Sequence, residues 1–318
     1  MATVTQGRPD LPVQSKRRAH PFVLWVRDGG LSKLAFFLPM LFVFGFFAWF
    51  PIVRAAIMSL QYSDGIRGHA PEFVGLANFR LVLADERTLI AVKNTLRFAL
   101  YALIFGYPVP LVAAVLMSEV RKRKGLFSAL AYVPVVVPPV VAVLLWKFFF
   151  DASEDGVFNR VANWFGLGPF PWLQDKATAM PSLVLEATWA AAGGTVIIYL
   201  AALSSINTDL YEAAGIDGAG IWRKVWHITM PQLRGVMLVT LILQIIGTAQ
   251  VFLEPYLFTG GGPDDGTLTV LLLIYQYAFL NSGGGDYGNA TALSILLALV
   301  LGIMSAVYFR LTRSWSDS

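Results

Sequence analysis

The stretch NTDLYEAAGIDGAGIWRKVWHITMPQL, Asn207 to Leu233, separates two long apolar runs and reads as a short helix with a return segment rather than as a linker. Asp209 followed three residues later by Glu212 has the form of a capping box at a helix start. Ala213 and Ala214 keep one face of that helix thin, and Gly215 with the Asp217-Gly218 pair is expected to break it within about two turns. Trp222 to Met230 then forms an amphipathic return ending at Pro231, which can open the next helix at its first position. A short exposed helix with small residues on one face is shaped to enter a groove on a partner. The alternative is an ordinary surface loop.

On either side, residues 182–204 and 232–256 are apolar for about the 20 residues that a helix needs to cross the hydrocarbon core of a bilayer. Four more such runs occupy 34–58, 95–118, 127–150 and 287–309, the first containing LAFFLPMLFVFGFFAWFPIV from Leu34. Composition agrees. Over 318 residues the chain is 56% hydrophobic and 14% charged, with mean hydropathy +0.62, whereas soluble domains carry about 25% charged residues. So few charges cannot cover a water-soluble particle of this size, which disfavours both a soluble enzyme and a disordered protein. The expected fold is an all-α integral membrane protein with six transmembrane helices. The absence of cysteine excludes disulfides, thiolate metal sites and Cys nucleophiles.

Charge placement sets the expected topology. Residues 1–33 are polar, hold Arg8, Lys16, Arg17, Arg18, Arg27 and Lys33, and show no short apolar core with a small-residue cleavage site, so they read as a cytoplasmic tail and not a signal peptide. Arg121 to Lys124, then Arg223, Lys224 and Arg234, then Arg310 and Arg313 fall on the same side of the spans, which places 15 of the 24 basic residues inside. The outer loop at 257–286 has no basic residue and holds Asp264, Asp265 and Asp286. The positive-inside rule therefore puts both termini in the cytoplasm, with residues 34–310 as a six-span domain, a loop at 205–231 on the inner side, and 311–318 as a C-terminal tail. The net charge of +4 is a topology signal and not a nucleic-acid footprint.

Three outer segments, near 61–93, 151–181 and 257–286, are too long for tight turns. FVGLANFRLVLAD (Phe73 to Asp85) and VFNRVANWFGL (Val157 to Leu167) read as short helices at the membrane surface. The apolar run from Leu268 to Leu280, flanked by Gly260 to Gly262 and Gly283 to Gly285, is too short to span and suits a surface or re-entrant element. Prolines at 39, 51, 108, 110, 134, 138 and 139 lie within spans, where each removes a helix donor and tends to kink. Pro138-Pro139 allows either a bend during gating or fixed curvature for packing.

The motif E-A-A-x-x-D-G-A, with Pro twelve residues on, stands here as Glu212, Ala213, Ala214, Asp217, Gly218, Ala219 and Pro231 and is similar to the EAA loop of binding-protein-dependent ABC import permeases. Gly75-Leu76-Ala77-Asn78-Phe79 before Asn94-Thr95-Leu96, the Pro134 to Trp146 stretch, Thr259-Gly260-Gly261-Gly262-Pro263, and Tyr287 to Ala292 resemble the carbohydrate-uptake branch. The T-G-G-G-P element resembles the maltose- or glycerol-phosphate-type first permease more than its partner subunit. Val225 departs from the Phe common in the family. The resemblance, from about residue 34 to 310, implies the type I importer permease fold in a bacterial inner membrane. In that family the EAA helix sits in a cleft of an ATPase subunit, so Glu212, Ala213, Ala214, Gly215, Asp217 and Gly218 would couple to it. The implied partners are a second permease in a heterodimer, two ATPase subunits that bind ATP and Mg, an extracytoplasmic sugar-binding protein, and lipid.

The chain itself reads as a transport subunit and not an enzyme. It has no G-x-x-x-x-G-K-[ST], so no P-loop, and the GIDGAG run is spaced G-x-x-G-x-G with no preceding strand, which argues against a dinucleotide site. His20, His69 and His227 have no metal-ligand spacing. Gln244 and Thr248 share a helix face with Thr240; Glu186, Trp189 and Tyr199 lie on the fourth span, and Glu254 near the outer end of the fifth. A polar amide beside aromatic rings suits the hydroxyls and flat C–H faces of a sugar, so Gln244, Thr248, Trp189, Glu254 and Tyr199 are candidates for the substrate path. The alternative is interhelical hydrogen bonding, with Glu186 and Glu254 at the interface. An ion-coupled secondary transporter would need broken-helix charges at the midplane and often two related halves, and neither is visible. Polyols and glycerol phosphate stay open beside di- and oligosaccharides, although an outer loop without basic residues weighs against a phosphorylated cargo.

Overall fold

The computed structural model describes residues 30–62, 70–119, 124–280 and 285–316. The expected tail through residue 29, Arg121 to Arg123, Gly283, Gly284 and the last two residues lie outside these. Two compact units divide at Arg54 and Ala55.

Five helices are long and apolar enough to span a membrane: α1 (Ser32–Met58), α3 (Glu86–Glu119), α7 (Lys176–Ser204), α9 (Ile221–Ala249) and α11 (Tyr287–Ser316), the last with its apolar span at Tyr287–Arg310. The sixth expected span is not one helix. It is a pair, α4 (Lys124–Val136) and α5 (Pro139–Phe149), bent by 98° at the break. The cause is local, because Pro138 takes an extended ψ of 132° ahead of Pro139, which has no N–H to continue a helix and whose ring disfavours helical geometry in the residue before it.

Other prolines are absorbed rather than kinked. Gly45–Trp49, Ala102–Gly106 and Val225–Thr229 are widened π-turns inside α1, α3 and α9, and each ends two residues before a proline, Pro51, Pro108 and Pro231. A proline ring collides with the carbonyl four residues back. The widened turn moves that carbonyl aside, with Tyr107 N–H donating to Ala102 O at 2.7 Å in α3. So Pro231 does not open the fifth span as expected. That helix starts at Ile221 and runs through it.

The short helices are α2 (Ala77–Ala84), α6 (Val157–Asn163), α8 (Thr208–Ile216) and α10 (Val270–Phe279). A two-residue antiparallel pair joins β1 (Gln61–Tyr62) to β2 (Glu72–Phe73). Contrary to a surface placement, α10 is packed: Leu268, Leu272 and Leu273 are fully buried against Val82, Ala91, Ala290 and Ala292. Its entry is held by α3, where Asn94 donates to Asp265 O (2.6 Å) and Leu268 O (3.0 Å), and Thr95 Oγ1 accepts from Val270 N–H (3.0 Å). The G-L-A-N-F and Y-G-N motifs meet in the same way. Asn78 Nδ2 donates to Ser59 O and Gln61 O, both at 2.9 Å, and Gly288 lies so close that a Cβ there would stand 2.5 Å from Gln61 O. Gly193 of α7 likewise presses on α4, since its Cβ would stand 2.2 Å from Ala131 O.

Candidate functional site

The loop at 205–231 folds from its own residues. Asn207 caps α8, its side chain accepting from Asp209 N–H at 2.9 Å, so the cap lies two residues ahead of the expected Asp209 and leaves Asp209 in the first turn, where its charge suits the helix dipole. The helix runs through Gly215 instead of breaking there. It stops at Asp217 because Gly218 takes a left-handed φ of +73°, and Ala219 N–H returns to Ala214 O at 2.8 Å. Glu212, Ala213, Gly215, Asp217 and Gly218 are exposed and Ala214 is half-buried. Beside them Ile216 (89%), Trp222 (78%) and Ile221 (68%) expose apolar area on a polar loop, as a docking surface does.

Behind α8 lies a cavity of 590 Å³ shared with the ends of α3, α7 and α9, with Glu212, Gly215, Lys224 and Val225 on its wall. Tyr211 bridges it, its hydroxyl 2.9 Å from Thr229 Oγ1 of α9. A hydrogen bond thus joins α8 to α9 in addition to the connection through the chain.

A second cavity, of 550 Å³, opens toward the other end of α9. Thr240, Gln244 and Thr248 line it from one stripe of that helix, Thr188 and Thr195 from α7, and Phe98 from α3, with Glu254 at its margin. Thr248 is buried and donates to Ile245 O at 3.1 Å, whereas Gln244 is half-exposed on the wall. The other two expected residues do not line this cavity. Trp189 packs on Trp146, ring centroids 5.5 Å apart, and Tyr199 is fully buried with its hydroxyl 2.6 Å from Thr240 Oγ1. The interhelical reading thus fits Tyr199. Glu186 is not at an interface but 1% exposed, with Oε2 unpartnered. Sequence reasoning passed over Thr188 and Thr195. The signal was present, because Thr188, Ala191, Thr195 and Ile198 recur at three- and four-residue steps and all face the cavity. Among the described residues no cluster of His, Asp and Glu could hold a metal.

Residues 106–315 match the family described as binding-protein-dependent transport system inner membrane component. The chain is 32% identical over 280 residues to the trehalose/maltose transport system permease protein MalF of Thermococcus litoralis, covering 88% of this chain and 93% of that protein. It is 32% identical over 283 residues to the lactose transport system permease protein LacF of Rhizobium radiobacter, covering 87% and 93%. Among solved structures it is similar, at TM-score 0.79 and 25% identity, to a chain of a bacterial ABC transporter involved in the import of the acidic polysaccharide alginate, over 93% of this chain and 99% of that one.

Proposed function

Because the chain belongs to the binding-protein-dependent transport system inner membrane components, we propose that it is one of two permease subunits of an ATP-driven importer of a di- or oligosaccharide. Both termini and α8 face the cytoplasm, where two ATPase subunits carry ATP and Mg, and an extracytoplasmic binding protein delivers the sugar to the opposite face. The single observation that carries this reading is α9, one helix that borders the α8 groove at Thr229 and the second cavity at Thr240, Gln244 and Thr248. From Thr229 to Thr248 it spans about 28 Å at the helical rise of about 1.5 Å per residue.

ATP binding closes the ATPase dimer and moves the docked α8 toward the corresponding helix of the second permease. Glu212 makes charge-assisted contacts with the ATPase, while Ala213 and Gly218 allow its backbone to come close. Through Tyr211 and Thr229 the displacement tilts α9, so one packing exposes the Gln244 wall outward and the other inward. The sugar needs only weak, successive hydrogen bonds on the way, which Gln244 and the threonine hydroxyls supply. The sugar class is supported by the names of the similar permeases, for trehalose/maltose and for lactose.

The test is uptake by the assembled transporter after Gln244→Leu, with assembly checked by copurification of the second permease and the ATPase. A lowered rate or affinity is expected. Unchanged values for both would remove the cavity from the path.

A further inference from the structure

We propose that Phe252, Tyr256, Tyr275 and Phe279 form a second carbohydrate subsite at the cavity mouth, which holds the part of a longer saccharide that the cavity leaves outside. The inference rests on the reading of that cavity as a sugar path. Phe252 belongs to both places, since it lines the cavity and begins a row of four rings. It stacks on Tyr256 with centroids 5.2 Å apart and planes 11° from parallel, and it meets Tyr275 at 5.2 Å. Tyr256 and Tyr275 are 5.0 Å apart, and Tyr275 and Phe279 are 5.2 Å apart.

The row is built on a fixed base. Leu272, Leu273 and Tyr277, on the other side of α10, are buried in the core, while Phe279 is 65% and Tyr256 37% exposed. Ring faces alone would suit lipid as well as sugar, but the hydroxyls of Tyr256 and Tyr275 lie 3.4 Å apart on the same row. A phenol hydroxyl has one donor and two acceptor positions, so each keeps capacity for a further partner. An apolar face bordered by paired hydroxyls matches a pyranose, which offers a C–H face and a hydroxyl rim. Gln276 does not compete, because its amide is committed to Gly260 O and to Arg87. Size gives the reason for a second subsite. Ligand pockets span roughly 300–1,000 Å³, and at 550 Å³ the cavity falls in the lower half of that range, so part of a longer chain is left outside it, and Phe252 is the lining residue from which the row of rings continues.

The experiment uses the complete complex with its second permease and ATPase in nanodiscs, and reads binding of a series of 1,4-linked glucose oligomers, from two units to six, by saturation-transfer difference NMR. Tyr256→Leu and Phe279→Leu are expected to weaken the longest oligomers about two- to tenfold, the range of one aromatic contact, and to leave the two-unit sugar unchanged. Tyr256→Phe keeps the ring but loses the hydroxyl that pairs with Tyr275, so it should weaken the longest oligomers less than Tyr256→Leu does while still leaving the two-unit sugar unchanged. Equal weakening at every length, no weakening at all, a Phe variant as poor as the Leu variant, or no binding by the wild-type complex overturns the proposal. Gln244→Leu separates the two readings. If it weakens all lengths while the ring variants have no effect, the second subsite alone is lost; if it has no effect while the ring variants act on long oligomers, the cavity reading alone is lost.

Discussion

At Gly218 the backbone φ is +73°, and no atom lies within 4 Å of where a Cβ would be. Any penalty for a side chain there is therefore conformational and not steric. For an L-residue it is about 1–2 kcal/mol, larger for a β-branched one, while Asn tolerates the geometry. Gly218→Val is expected to let the end of α8 relax and separate Asp217 from its docked position. ATP hydrolysis by the complex should continue while uptake per ATP falls severalfold, and Gly218→Asn should stay near wild type. Measuring both rates on one preparation checks this, and normal coupling in the Val variant would deny α8 its role. Tyr277 offers a test of a different kind. Burial first, then its hydrogen bond to the Asp85 carboxylate, pushes its hydroxyl up to about 12. A raised folded value means the contribution is fully present below the unfolded value of about 10 and is lost as pH climbs toward 12. Tyr277→Phe should cost about 1.5–3 kcal/mol near neutrality, the range for a bond to a charged group. The gap between the two thermal unfolding temperatures should narrow above pH 10. A gap that does not change with pH would show that folding does not raise this hydroxyl.

Among the elements, two glycines set the limits of packing. A side chain on Gly193 would drive α7 off the Ala131 carbonyl of α4, and one on Gly288 would enter the Asn78 clasp. Gly193→Leu should reduce the amount of folded, extractable protein more than Gly194→Leu, whose Cβ would meet nothing within 4 Å. Equal yields would count against the α4–α7 contact. Such contacts mark where the sequence stops being readable. The apolar runs located the spans, because a bilayer enforces length and composition directly, but α3 and α9 begin 9 and 11 residues before the expected 95 and 232, where polar helical turns lead into the apolar run. Position along the chain does not say what a run packs against, so the length of Leu268 to Leu280 left a surface and a re-entrant element open, and the contacts of Asn94 and Thr95 at its entry exclude the first. The Pro138-Pro139 bend was foreseeable as a bend, but its 98° was not. Likewise the E-A-A-x-x-D-G-A residues from Glu212 were legible as a contiguous motif, whereas the cavity wall was only partly so. Gln244 and Thr248 stood out as polar residues in an apolar helix, but Tyr199 did too, and only its 2.6 Å contact with Thr240 shows that it is engaged in packing.

For the whole molecule, the direction in which it sits in the membrane decides whether α8 can meet an ATPase at all. The argument for a cytoplasmic α8 is the charge bias, with 15 of 24 basic residues on its side and none in the loop at 257–286. Because the chain has no cysteine, a single introduced thiol reports its own location without background. Asp155 lies in the loop between α5 and α7 with its side chain 89% exposed, and its ion pair with Arg160 is a surface contact worth at most about 1 kcal/mol, so Asp155→Cys should fold normally. Ile216, 89% exposed at the end of α8, is the counterpart on the opposite side. A membrane-impermeant maleimide applied to intact spheroplasts should label Asp155→Cys and spare Ile216→Cys, and opening the membrane should make the second reactive. Coexpressing the ATPase should then protect Ile216→Cys again, since a docked helix is covered by its partner. The reverse labelling pattern would invert the topology and remove the route from ATP to α9. The expected pattern without protection by the ATPase would keep the topology and place the docking surface elsewhere on the cytoplasmic face.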